Sequence, residues 1–333
     1  MIVRKPVFFD QFRCVASACP DSCCKEWSVT VDPEAAAMYR ALPGPLGQRL
    51  REVLAEEDGD TVMTIENSRC PMWRQDGLCR IQAELGHDAL CRTCREFPRL
   101  THDYSDFQEW GLELSCPEAA RLILSSPALP LTETHIPGGE VPEYDADAMA
   151  VLLRTRQTAL QLLSAPRPAQ ETLALLLMYG YHAQAELDGA APLEFDENAA
   201  LLEARQLART GDIAAILDFF RHLEILTDTW RSRLDAPAGG HWDGPYPALA
   251  RYFVERYWLQ AVSDYDLVGR VKLAVISCLL IQVLGGDPIR TAQAYSKEIE
   301  NDPDNVEAIL DGAYTAPAFT DDRLLGLLLK ENL

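Results

Sequence analysis

The chain has 333 residues, 48% of them hydrophobic and 24% charged, with 51 acidic against 30 basic side chains and a formal net charge of −21. That balance is ordinary for a globular protein with a real core and excludes disorder over most of the length. The acidity argues against DNA or RNA as a partner, because phosphate binding needs a basic stripe; it suits a basic partner, or simply a well-solvated surface.

The opening residues Met1–Asp10 hold no apolar run of the secretory kind. No stretch approaches the ~18 apolar residues of a membrane span. The longest, Leu273–Leu284, reads as a buried helix. The expected compartment is therefore the reducing cytoplasm. Residues 27–31 alternate and predict a short strand. Asp32-Pro33-Glu34 predicts a helix start, running to about Leu42 and stopped by Pro43-Gly44-Pro45. A second helix is expected over Leu46–Glu57, ending near Asp58-Gly59, then a strand over Thr61–Glu66. Asp76-Gly77 predicts a hairpin that brings Cys70 and Cys79 towards each other. A helix over Arg80–Leu85, a strand over Phe107–Leu114 and a helix over Glu118–Leu124 follow. Residues 126–147 carry Pro127, Pro130, Pro137, Gly138, Gly139 and Pro142 and read as a linker. Beyond it helical patterns dominate, among them 145–164, 169–187, 212–233, 247–262, 265–285, 288–300 and 321–331. The expected fold is mainly α: a small α+β cysteine-rich metal-binding domain (1–125), the linker (126–147), and an all-helical domain (148–333).

Nine of the ten cysteines fall in the first of these: Cys14, Cys19, Cys23, Cys24, Cys70, Cys79, Cys91, Cys94 and Cys116. Only Cys278 lies outside, in an apolar helical run. Cysteine used merely as a small hydrophobe would scatter along the chain. In a reducing compartment a thiol cluster reads as metal ligands rather than disulfides. Thiolates suit zinc, Cu(I) and iron–sulfur clusters, and nine could serve one site or two. Cys91-x-x-Cys94 favours zinc, because a two-residue gap lets both sulfurs reach one tetrahedral ion; the compact 14–24 loop favours an iron–sulfur cluster. Cys19-x3-Cys23 begins the radical S-adenosylmethionine pattern, but position 26 is Glu26, so that match fails.

Weaker candidates stand beside the thiols. His87 and His102 could add a ligand, although surface or capping roles suit them better. Arg92, Arg95 and Arg99 could balance a cluster's negative charge or bind a carboxylate such as that of S-adenosylmethionine; salt bridges to nearby acids are the plainer reading. Trp73, Trp110 and Tyr104 could wall a pocket, and Tyr252, Arg256, Tyr257 and Trp258 a lysine groove, with core packing the simpler role for each. No Gly-rich phosphate loop is present, and no catalytic residue is identified.

The order Phe12-x-Cys14-x4-Cys19-x3-Cys23-Cys24-x2-Trp27-x-Val29-x-Val31-Asp32 resembles the N-terminus of flagellin lysine-N-methylases, part of a wider CxxCxxCC-type cysteine-cluster group of zinc or iron chelators. Cys70-Pro71, Asp76-Gly77-Leu78-Cys79-Arg80-Ile81-Gln82, Cys94-Arg95-x-Phe97-Pro98-Arg99, Leu114-Ser115-Cys116-Pro117-Glu118 and Tyr295-Ser296-Lys297-Glu298-Ile299-Glu300 are also similar. The resemblance implies methyl transfer from S-adenosylmethionine to flagellin lysines, with a 4Fe-4S cluster on the N-terminal cysteines. The alternative is a non-catalytic zinc- or iron-chelating module. Without a nucleotide-binding Gly-rich loop the donor must bind unconventionally, one option being an iron with an open coordination position.

Overall fold

Aspartates start many of the helices, as local rules require. In the computed structural model, which describes residues 1–57 and 59–330, Asp32, Asp145, Asp266 and Asp302 each accept hydrogen bonds from first-turn amides. The chain is mainly helical, with short strands confined to its N-terminal part.

Two hydrophobic cores organise the molecule. The smaller gathers Val29, Val31, Tyr39, Leu50, Met72, Ile81 and Leu90. It is built by β2 (Val29–Thr30), α1 (Pro33–Ala41), α2 (Gly44–Val53), β3 (Leu54–Glu57) and β4 (Asp60–Met63), followed by the short helices α3 (Arg80–Leu85) and α4 (Arg92–Glu96). Its sheet runs β2-β4-β3, antiparallel throughout. The expected helix over 46–57 is thus cut at Val53, and the rest pairs as β3 with β4. Asp58 lies outside the described residues.

The larger core belongs to the helices but reaches back to Phe8, Phe107, Leu114 and Ile123. A second sheet explains this. β1 (Ile2–Lys5) pairs in parallel with β6 (Phe107–Leu112), β5 (Arg99–Asp103) pairs antiparallel with β6, and β7 (Thr132–His135) pairs antiparallel with β1. The stretch expected as a linker therefore supplies a sheet strand, with Val3 opposite both Gln108 and Thr134. α5 (Pro117–Ser125) buries Ala119, Ala120, Leu122, Ile123 and Leu124 against the helical body. Hydrophobic burial divides the chain between a lobe of roughly residues 27–97 and everything else, not at the proline-rich break.

The helical body comprises α6 (Ala146–Ser164), α7 (Ala169–Leu187), α8 (Glu197–Leu207), α9 (Ile213–Arg221), α10 (Asp228–Asp235), α11 (Tyr246–Tyr257), α12 (Leu267–Leu284), α13 (Pro288–Tyr295), α14 (Pro303–Thr315) and α15 (Asp321–Leu329). α12 is its axis. It is long and apolar enough to cross a membrane, yet every residue is buried by protein, and Lys272 Nζ is satisfied by the Ala313 and Phe319 carbonyls and by Asp321. The periodic stretch 212–233 is not one helix. It breaks after Arg221, because the Glu298 carboxylate accepts the Leu226 amide at 2.8 Å and the Thr227 amide at 3.3 Å, while Thr227 caps α10. The expected 288–300 helix widens after Tyr295 into a π-turn over Ser296–Glu300. π-turns within helices are rare and concentrate at functional sites. Residue 331 of the expected last helix lies outside the described residues.

Candidate metal centre and adjoining cleft

The cysteines reach one place from separate elements. Cys14, Cys19, Cys23 and Cys24 sit on the irregular segment between β1 and β2. That segment is tied to the next cysteine loop through Cys70 N–H to Cys24 O at 2.8 Å and Glu26 N–H to Ser68 O at 3.1 Å. Asp76-Gly77 forms the expected turn, with Gly77 at φ +80°, and Trp73 bridges Cys79 across it. Cys79, Cys91 and Cys116 occupy the residue immediately before α3, α4 and α5. Burial raises the Cys79 and Cys116 thiols, and backbone amides of the following turns pull the other way; at Cys91 the bond from Cys94 leads and the turn amides add to it, lowering the thiol.

All nine cysteines line a single cavity of about 370 Å³, set between the two cores. Cys70, Cys79 and Cys91 pack on the smaller core and Cys116 on the larger. Cys278 is elsewhere, fully buried in α12, where burial alone raises its thiol pKa. The thiols influence one another in two groups that meet at Cys23-Cys24. Cys14, Cys19, Cys23 and Cys116 interact in one group, which includes the thiol packed on the larger core; Cys24, Cys70, Cys79, Cys91 and Cys94 interact in the other, and Cys24 also acts on Cys19. Desolvation pushes Cys70 up to about 12 and Cys116 to about 11. Cys23 hydrogen-bonds Cys24, and Cys94 hydrogen-bonds Cys91; in each pair the bond lowers one thiol and raises the other, so the first proton leaves readily and the second is held. Cys23 and Cys94 count as exposed only because they face the cavity, whose walls still withdraw water from them.

The donor set fits a soft metal or an iron–sulfur cluster: nine thiols around one hollow, with His87 the one histidine on its wall among the described residues. Among the described residues no three Cys, His, Asp or Glu side chains already converge on one metal position; the thiols ring the cavity. Arg95 and Arg99 line it and Arg92 does not, whereas Arg13, unremarked in the sequence, does. None of these four guanidiniums has a carboxylate within ion-pair distance among the described residues, although Arg92 donates its backbone amide to Asp32 and its charge helps hold that carboxyl below the usual range. His102 lies away from the cavity beside Glu109 and Arg256, its pKa lowered by burial. Trp73 stacks under Arg69 at 3.6 Å, Trp110 packs on Phe9, and Tyr104 stacks on Phe107.

Tyr252 and Arg256 line a small cavity of about 50 Å³ with Glu109 and Glu255, which Tyr257 and Trp258 do not line; Tyr252, Arg256 and Tyr257 are also tied to one acid. They converge on the buried Glu300, the tyrosine hydroxyls donating at 3.1 and 2.9 Å and Arg256 Nε lying 3.5 Å away. Trp258 donates separately to Thr155. Glu300 closes the π-turn, so these side chains hold that turn in place. The turn also carries Lys297, which pairs with Glu26 and lies 3.6 Å from Asp21 on the cysteine loop. In the sequence Lys297 stands out only within the hexapeptide Tyr295-Ser296-Lys297-Glu298-Ile299-Glu300. Its side chain lines both the cysteine cavity and a second cleft of about 470 Å³ running along α13 and α10.

The chain is similar to known proteins over most of its length. The Lysine-N-methylase of Salmonella typhimurium is 32% identical over 250 residues, which is 67% of this chain and 62% of that protein. The Lysine-N-methylase of Salmonella choleraesuis matches to the same extent. The Flagellar biosynthetic protein FliU of Salmonella muenchen is 34% identical over 132 residues, 38% of this chain and 78% of that protein. The matched stretch thus spans about 62% of the length of the lysine-N-methylases. No protein-family model matches, and no solved structure matches. The chain belongs to the lysine-N-methylase family.

Proposed function

We propose that this protein is an S-adenosylmethionine-dependent protein-lysine N-methyltransferase that acts on flagellin in the cytoplasm and carries a 4Fe-4S cluster on its N-terminal cysteines. The observation that carries the reading is the gathering of all nine N-terminal thiols around one cavity that shares Asp21, Pro117 and Lys297 with a neighbouring ligand-sized cleft. The names of the relatives supply the reaction and the flagellar context.

In the reaction the neutral lysine nitrogen attacks the methyl carbon of the sulfonium. A C–N bond forms, the C–S bond breaks with its electron pair left on sulfur, and the lysine proton passes to solvent or a base. A bound iron–sulfur cluster would supply a fixed charge and a rigid crosslink between the two cores. Cys24, Cys70, Cys79, Cys91 and Cys94 would hold metal as one group, and Cys14, Cys19, Cys23 and Cys116 as the other. Arg13, Arg95 and Arg99 would offset the negative charge of thiolate-bound metal. Lys297 would keep the cysteine loop against the π-turn.

The test is anaerobic purification followed by iron, zinc and sulfide analysis, then transfer of a radiolabelled methyl group to flagellin. Iron and sulfide in equal amounts with lysine labelling supports the reading. Zinc without sulfide, and no labelling, overturns it in favour of a chelating module.

A further inference from the structure

The cleft beside the cysteine cavity contains two cations with no ion-pair partner among the described residues. Its walls carry Lys25, Arg121, Arg233, Arg290 and Lys297. Lys25 and Lys297 pair with Asp21 and Glu26, and Arg121 pairs with Glu118. Arg233 and Arg290 have no carboxylate within ion-pair distance among the described residues, in a protein of net charge −21. The two lie at the same end of the cleft: Arg233 Nη1 donates to Thr291 Oγ1 at 3.2 Å, one residue from Arg290. Trp230, 1% exposed, also lines the cleft, and its indole N–H is buried without an acceptor among the described residues. Asp287 completes that end. Its Oδ1 accepts the Ile289 and Arg290 amides, and no described group donates to its Oδ2.

Two guanidiniums and one half-used carboxylate form the complement of a zwitterion. We propose that this end of the cleft binds the α-amino-acid end of a small ligand, Arg233 and Arg290 taking its carboxylate and Asp287 its ammonium. Resting on the methylase reading, the ligand is the methyl donor. Position 290 lies seven residues from Lys297, one of the lining residues shared with the cysteine cavity. At the helical rise that is about 10 Å, so the donor would lie along α13 with its amino-acid end anchored on side chains rather than on metal. A guanidinium fork suits a carboxylate geometrically, and the surrounding protein strengthens the attraction relative to water.

The experiment uses the full chain, purified anaerobically with its metal, and two probes in calorimetric titrations: S-adenosylhomocysteine, and 5′-methylthioadenosine, which lacks the amino-acid end. The wild type is expected to prefer the first by roughly tenfold or more, the effect of charge-assisted hydrogen bonds. In Arg233→Ala/Arg290→Ala the preference should collapse to about twofold or less, whereas Arg231→Ala, on the exposed side of α10, should retain it. Should the double variant fold poorly, Arg290→Ala alone carries the test, because Arg290 is exposed. A variant that keeps the wild-type preference, or a wild type that shows none, overturns the inference and leaves the methylase reading standing. A wild type that binds neither probe overturns both.

Discussion

Gln293 Nε2 donates to Asp21 Oδ2 at 2.9 Å and to the Ser115 carbonyl at 2.8 Å, joining α13 to the cysteine loop and to the start of α5. Asp21 and Gln293 are 272 positions apart in sequence. Burial would push the Asp21 carboxyl up, but its contacts with Lys25, Lys297 and Gln293 hold it below the usual range. The cysteine cavity, the cleft and the π-turn are thereby held as one assembly.

Gln293→Leu leaves the Ser115 carbonyl and one Asp21 oxygen without their donor. Unfolding in urea should show a loss of about 1–3 kcal/mol, the usual cost of an orphaned buried acceptor. The same substitution should speed alkylation of Cys19 by iodoacetamide. Unchanged stability and unchanged alkylation would show that the clasp contributes nothing.

Metal retention should follow the division of the thiols. Cys24→Ser, at the meeting point of the two groups, is expected to lose most of the bound metal. Cys70→Ser and Cys14→Ser should each lose only the share of their own group. Cys278→Ser should keep full metal content while losing stability by about 1–3 kcal/mol, because its hydroxyl enters the apolar core around α12. Elemental analysis of the four variants decides; equal content in all of them would misplace the site.

Stability should fall as pH rises from mildly acidic to neutral, through Glu255. Desolvation lifts its carboxyl from 4.5 to about 7, against the opposing charges of Arg251 and Arg156. A raised carboxyl favours the folded state below its unfolded pKa, and that contribution is lost as pH passes from about 4.5 to about 7. The full shift corresponds to at most about 3 kcal/mol, less the screening at a side chain 22% exposed. Chemical denaturation from pH 4.5 to 8 should show this decline in the wild type and a shallower one in Glu255→Gln.

Glu109 on β6 and Arg156 on α6 form a two-pronged ion pair, both bonds 2.6 Å, with side chains 8% and 6% exposed. Removing one partner strands a buried charge. Glu109→Leu or Arg156→Leu alone should cost about 3–5 kcal/mol, and the double substitution less than either. A double-mutant cycle by denaturant unfolding measures this, and additive losses would contradict it.

Local rules carried the reading a long way. Asp32-Pro33 starts α1, Gly86 at φ +90° ends α3, and Asp76-Gly77 makes its turn, because each depends on a few neighbouring residues. The concentration of nine thiols in the first third was plain in the sequence, as was the similarity to lysine-N-methylases. What local pattern does not encode is competition from distant groups. Residues 212–233 keep helical spacing throughout, yet a carboxylate on the π-turn captures two of their amides and splits them.

The cysteine string near the N-terminus is legible as a set of soft donors, since the softness of a ligand is a property of residue type alone. Where those ligands meet depends on tertiary structure. β1 must pair with β6 and β7, α5 must pack on the helical body, and Gln293 and Lys297 must reach Asp21 and Glu26 before the thiols of two cores face one cavity. The cleft with its partnerless Arg233 and Arg290 depends likewise on helix packing. Arg121 finds Glu118 three residues away, but whether Arg233 and Arg290 find a carboxylate depends on which elements pack beside them.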